Sequence, residues 1–148
     1  MSVKLSRNMS RSVPATPDSI AAALDTRRNR VLVLGGSNAE AGVYDVAGNA
    51  MQKITLAGPD AVSVLARGNG MVYDPLLDAF LVRASDAGAT VYRVNAQSFS
   101  VDTLPNSGGA GVPASANNVY TRFLYAPQLK GIVYVPTYDG DLWFLRTF

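Results

Sequence analysis

Three stretches of the chain read alike at intervals of about fifty residues, and this periodicity limits the possible folds more than any other feature of the sequence. The first unit runs LDTRRNRVLVLGG (24–36), GVYDV (42–46) and QKITL (52–56). The second runs VYDPLLDAFLVRA (72–84), TVYRV (90–94) and FSVDTL (99–104). The third runs LYAPQLKGIVYVP (124–136) and DLWFL (141–145). Asp25, Asp74 and Ala126 fall at matching places, and so do Tyr44, Tyr92 and Trp143.

Within each unit the signals are those of strands. A short apolar or aromatic run meets a turn rich in Asp, Pro, Asn or Gly. A strongly apolar run follows (VLVL, AFLVR or GIVYV), and the chain then returns through an alternating segment centred on Tyr or Trp. Asp18 and Ser19 offer a helix cap ahead of Ile20-Ala21-Ala22-Ala23-Leu24, and alanine propensity favours a helix there. The repeat sets that segment opposite GMVYD and RFLYA, so the expected element is an innermost strand. Tyr138-Asp139-Gly140-Asp141 predicts a tight hairpin turn with glycine at positive φ, Ser85 to Gly88 its counterpart in the second unit, and Gly35-Gly36 through Gly42 that of the first. Asp139 and Asp141 lack the further oxygen ligands of a calcium loop. The Gly35-Gly36 pair lacks the GK[ST] sequence and the helix of a phosphate loop.

This succession resembles a β-propeller of the kelch type, in which an apolar strand, a Gly-Gly pair, a Tyr-Asp strand and a later aromatic recur. Here VLVLGG is followed by VYDV and Met51, while FLVRA is followed by VYRV and Phe99, and the glycine pair stands only in the first unit. The resemblance spans roughly residues 19–148. It implies an all-β fold of β-propeller blades, each of four antiparallel strands, with about three per chain. The first blade is expected over 19–57, the second over 70–104, and the third over 119–148 without its outer strand. Residues 1–18 are expected to be a basic N-terminal arm or an exchanged strand.

A blade of this kind is apolar on both sheet faces and must stack on neighbours. Propellers close with about 4–8 blades, so three imply an arc with two sticky outer faces. Two remedies are expected. Either identical chains close a ring, most simply a homo-oligomer of two three-blade arcs on a two-fold axis, or the arc is a fragment of a larger propeller. Ser2-Val3-Lys4-Leu5-Ser6 resembles QKITL, so it is the expected fourth strand for the third blade of a partner chain.

Composition narrows the chemistry. The chain has neither Cys nor His, which removes disulfides, thiolate chemistry, Cys or His zinc sites and His-based acid–base catalysis. No cofactor and no metal is expected. The net charge of +2 hides an uneven distribution: residues 1–30 carry six basic and two acidic groups. With no aromatic among them, they read as solvated surface, and nucleic acid is not the expected partner. No run approaches the ~18 apolar residues of a membrane span, and the N-terminus lacks the apolar core of a signal peptide. Nothing in the sequence assigns a compartment. Asn8-Met9-Ser10 is a glycosylation sequon.

The expected ligand-binding residues lie on the two linkers between units. Asp60 and Arg67 belong to AGPDAVSVLARGN (57–69), and Asn117, Asn118, Tyr120 and Arg122 to the end of the Gly-, Ala- and Ser-rich 105–118 linker and just beyond. Long linkers at blade crossings are favourable places for ligand contacts. Tyr44, Tyr92, Tyr134, Tyr138 and Trp143 read mainly as packing between blades. Asp74 and Asp78 could be taken as a carboxylate pair, but their recurrence as Asp25 and Asn29 points to a turn. No catalytic residue is assigned. The expected function is therefore a non-enzymatic propeller module for protein or glycan binding and assembly. The alternatives are part of a carbohydrate-active or other propeller enzyme completed by another chain or further blades, with Asp60, Asp74 or Asp102 meeting Arg67 or Arg122, and a purely structural assembly domain.

Overall fold

The computed structural model describes residues 19–36, 38–85, 88–105, 112–115 and 118–147. Each repeat unit folds as an antiparallel meander in chain order. β1 (Ile20–Asp25), β2 (Arg30–Gly35), β3 (Glu40–Asp45) and β4 (Ala50–Ile54) form the first sheet. β5 (Gly70–Asp74), β6 (Ala79–Arg83), β7 (Tyr92–Asn95) and β8 (Val101–Thr103) form the second. β9 (Phe123–Ala126), β10 (Gly131–Tyr134) and β11 (Trp143–Arg146) form the third, which has three strands among the described residues. The first strand of each sheet lies beside the next, β1 against β5 and β5 against β9. The result is a partial, unclosed, propeller-like arc of three blades. Ser2–Ser6, expected to supply an exchanged strand, lies outside the described residues, as does Asn117.

The inner turns explain why the units repeat. Asp25 Oδ1 accepts the backbone N–H groups of Arg27 and Arg28 at 3.0 and 3.1 Å. Asp74 Oδ1 accepts those of Leu76 and Leu77 at 2.8 and 3.3 Å. Four residues on, Asn29 and Asp78 take left-handed conformations, with φ of 50° and 49°. The carboxylate satisfies donors that the turn leaves open, and Asn and Asp tolerate that φ better than most residues. In the third blade Ala126 has no side-chain oxygen. There Pro127 starts a single 3₁₀ turn over Pro127–Leu129, closed by Lys130 N–H on Pro127 O at 3.2 Å, with Lys130 left-handed at φ 54°. Proline supplies by its fixed φ some of the order that Asp supplies by hydrogen bonding.

The outer hairpins vary more. Gly35 and Gly36 have φ of 98° and 82°, and a Cβ on Gly35 would press on the carbonyl oxygens of Ser19 and Ala66 at 3.2 and 3.3 Å. Gly140, in contrast, does not take the positive φ expected of an Asp-Gly turn. β10 ends at Tyr134 and β11 begins at Trp143, so the loop is long enough to reverse without a two-residue turn.

Two apolar layers hold the arc together. Leu32, Leu34, Ala41 and Val43 of blade 1 pack against Met71, Tyr73, Phe80, Val82 and Val94 of blade 2. Leu81 and Val91 of blade 2 pack with Phe123, Ile132 and Tyr134 of blade 3. Because blade 2 is covered on both faces, β6 is buried along its whole length. This is why its sequence is continuously apolar from Ala79 to Val82, where a half-buried strand would alternate.

Candidate functional site

The three innermost strands frame an open groove of ≈ 250 Å³ lined by Ala22, Met71, Val72, Phe123 and Leu124, with Asn69, Tyr120 and Thr121 as its polar members. Its rim is made where the two inter-blade linkers meet the start of β1. Gly68 N–H donates to Ser19 O at 3.3 Å, and Val119 N–H donates to Gly68 O at 2.7 Å. The chain is thereby tied from blade 1 across to the approach to blade 3. Asn69 fixes the next position: its Nδ2 donates to Val64 O at 2.8 Å and its Oδ1 accepts Ser85 N–H at 3.2 Å.

On this rim Ser19 Oγ and Tyr120 Oη share a hydrogen bond of 3.1 Å, and Asn118 Nδ2 donates to Tyr120 Oη at 3.2 Å. All three residues are left-handed, with φ of 69°, 62° and 44° for Ser19, Asn118 and Tyr120. For a tyrosine that conformation is unfavourable by about 1–3 kcal/mol and requires the surroundings to impose it. Two hydroxyls and an amide are thus gathered on an exposed aromatic ring above an apolar floor. They are neutral groups suited to hydrogen bonding and stacking rather than to proton transfer.

The expected site residues divide between different places. Asn118 and Tyr120 are on the rim. Arg122 lies beside them, but its guanidinium donates to the carbonyls of Pro136 and Asn118 and to Ser115 Oγ, which fastens the linker to blade 3. Arg67 is exposed next to Gly68, and its carbonyl accepts the Ser85 hydroxyl at 2.8 Å. Asp60 stands apart, accepting the Thr103 hydroxyl at 3.0 Å on the outermost strand of blade 2. Ser19, which joins the rim, carries no sequence signal beyond that of a candidate helix cap shared with Asp18.

A second polar cluster lies between blades 1 and 2. Arg28, read from the sequence as solvated, bridges Asp25 and Asp78, and Tyr73 donates its hydroxyl to Asp78 at 2.7 Å. The guanidinium of Arg28, followed by the Tyr73 hydroxyl, holds the Asp78 carboxyl well below the usual range. Burial pushes Asp25 upward, but the hydrogen bonds from Arg28 and Arg30 outweigh it and the carboxyl is lowered. Burial and the bond to Asp78 raise the Tyr73 phenol. Arg30 also donates to Ala96 O and lies 5.0 Å over the Phe99 ring. Each of these groups is engaged with another, so the cluster reads as an inter-blade clamp.

Among the described residues no three acidic side chains gather as a metal site, and no helix is long and apolar enough to cross a membrane. No protein-family model matches the chain, and no curated protein matches it. The fold is similar to the crystal structure of TolB from Acinetobacter baumannii, with 16% identity over 83% of this chain and a TM-score of 0.49. It is also similar to the major Malassezia sympodialis allergen Mala s 1, with 19% identity over 78% of this chain and a TM-score of 0.45. The chain spans 28% and 34% of the length of those two proteins.

Proposed function

We propose that the chain is a non-enzymatic, kelch-like propeller module whose role is binding and assembly. The observation that carries this reading is the state of the two terminal blades. Leu24 on blade 1 and Leu124, Leu142 and Phe144 on blade 3 are exposed on sheet faces whose counterparts inside the arc are covered by a neighbouring blade. Apolar faces of this extent mark interaction surfaces, and the proposed occupants are further blades, supplied by another copy or by a longer chain. The left-handed Gly35-Gly36 pair supports the kelch-like assignment. A carbohydrate-active enzyme is less well supported, because Asp60, Asp74 and Asp102 direct their carboxylates to Thr103, to the Leu76–Thr147 set and to Arg93 respectively. Light scattering on the purified chain tests the reading. A monodisperse species heavier than one chain supports assembly, and a stable monomer at micromolar concentration counts against it.

The rim cluster favours a second reading, a glycan as the bound ligand. Sugars present hydroxyls in the plane of an otherwise apolar ring face, which matches Tyr120 with Ser19 and Asn118 over the groove. A glycan array probed with the intact assembly should give signal that Tyr120→Ala removes. Signal unchanged by that substitution would exclude the groove as the sugar site.

A further inference from the structure

We infer that the outer face of blade 3 docks on the outer face of blade 1 of a second copy, head to tail, in the same register that joins the blades inside the chain. The inference rests on the assembly reading above and names the partner and the faces.

Strand pairing sets the equivalences. Ala23 pairs with Leu32, Val72 with Leu81, and Leu124 with Val133. These residues point toward the following blade. Leu32 and Leu81 are fully buried there, whereas Leu124, beside which no further blade lies among the described residues, is 53% exposed. Gly42, Tyr92 and Trp143 pair at matching places, and one residue ahead of them Ala41 and Val91 are buried whereas Leu142 is 62% exposed. The opposite face repeats the pattern. Tyr73 pairs with Phe80, and Tyr125 with Ile132, and all four point toward the preceding blade. Their counterparts in blade 1 are Leu24 and Val31. Tyr73 is 7% exposed and Leu24 is 46% exposed. The two internal interfaces therefore bring the same strand positions face to face, and among the described residues those positions are uncovered on the outer faces of blades 1 and 3.

The charges agree with this docking. At the inner turns, Arg28 of blade 1 meets Asp78 of blade 2. The corresponding pair at a copy-to-copy interface is Leu129 and Asn29, so the inner-turn position would bury no unpaired charge. Lys53, at the outer margin of blade 1, already pairs with Glu40. Two arcs joined this way form two identical heterologous contacts and close a six-blade ring, within the usual range of about 4–8.

The test uses the full chain and two exposed substitutions, Leu24→Asp and Leu124→Lys. Alone, each puts its charge unpaired into both interfaces of the ring, and the dimer dissociation constant should rise at least about 100-fold. Mixed, the two variants can form one ring with one Asp–Lys interface and one native interface, so light scattering should recover a heterodimer. Masses untouched by either variant, or a mixture that stays monomeric, would overturn the head-to-tail faces while leaving assembly standing. A monomeric wild type would overturn both. Should either charged variant fail to fold, a cysteine pair serves, since the chain has no native Cys. Leu24→Cys mixed with Leu124→Cys should be joined by a short bis-maleimide, and Leu24→Cys alone should not; the reverse result defeats the proposal.

Discussion

Arg28 of blade 1 and Asp78 of blade 2 form a two-bonded ion pair, Nη1 to Oδ1 at 2.7 Å and Nη2 to Oδ2 at 2.6 Å. With Arg28 also on Asp25 at 3.1 Å, one guanidinium ties the inner turns of two blades together. Both carboxyls titrate below their ordinary range in the folded protein. A lowered folded value means stability that is fully present above the unfolded value, about 3.9 for Asp, and is lost as pH falls through the folded value. The urea midpoint should therefore hold near neutral pH and fall progressively below about pH 4. Asp78→Asn should lower the midpoint at neutral pH and flatten the acid limb. A variant profile parallel to the wild type would show that this pair does not govern acid sensitivity.

The inner and outer turns should differ in what their acidic residues contribute. Asp74 is fully buried and also accepts the Thr147 hydroxyl at 2.8 Å, joining the second blade to the end of the third. Asp74→Ala leaves two backbone donors and that hydroxyl without their acceptor, so unfolding free energy should drop by about 3 kcal/mol. Asp45, in an exposed outer turn, accepts Ala47 N–H at 3.1 Å, and Asp45→Ala should change stability by less than about 1 kcal/mol. Equal effects in chemical denaturation would contradict the buried role given to Asp74.

Which features were legible in the sequence follows from how local their causes are. The strands and inner turns depend on neighbours within a few residues, and Asp25 with Asn29 and Asp74 with Asp78 announced the turns by spacing alone. The run Phe80-Leu81-Val82 announced a strand covered on both sides. Ser19 and Tyr120, in contrast, are 101 positions apart and meet only because the blades stack. Their left-handed backbones have no propensity signature, since neither residue favours that region. Arg28 looked like a surface cation because its partner Asp78 is 50 residues away, on a blade whose packing the sequence does not display.

Arg83 presents a different problem of burial. It is buried on the blade-3 side of β6, with its guanidinium 4.1 Å over the Tyr134 ring and Nη2 donating to Pro113 O at 2.9 Å, while Nε has no hydrogen-bond partner. Stacking recovers only part of what a buried charge loses on leaving water, so the side chain contributes chiefly by filling space. Arg83→Met, which keeps length and apolar volume, should leave stability unchanged or raise it by about 1 kcal/mol. Arg83→Ala, which opens a cavity, should lower it by about 2–4 kcal/mol. If both variants lost stability alike in thermal and urea melts, the charge itself would be the stabilising part.

The crossing from blade 1 to blade 2 turns on Gly58. Ala57 N–H donates to Phe99 O at 3.1 Å and Val101 N–H donates to Ala57 O at 2.7 Å, so the linker hooks onto β8 before the chain turns inward. Gly58 follows with φ 98°, and a Cβ there would collide with the carbonyl oxygen of Val101. Gly58→Ala combines an unfavourable backbone with a clash against a backbone atom that is itself held in a strand. It should lower unfolding free energy by more than about 2 kcal/mol and speed amide exchange at Val101. Gly88, with φ 57° and open space where its Cβ would lie, separates the two causes. Gly88→Ala carries only the backbone penalty and should lower stability by about 1 kcal/mol. A Gly58→Ala protein no less stable than Gly88→Ala, with unchanged exchange at Val101, would show that the linker yields freely and that the hook onto β8 does not fasten blade 1 to blade 2.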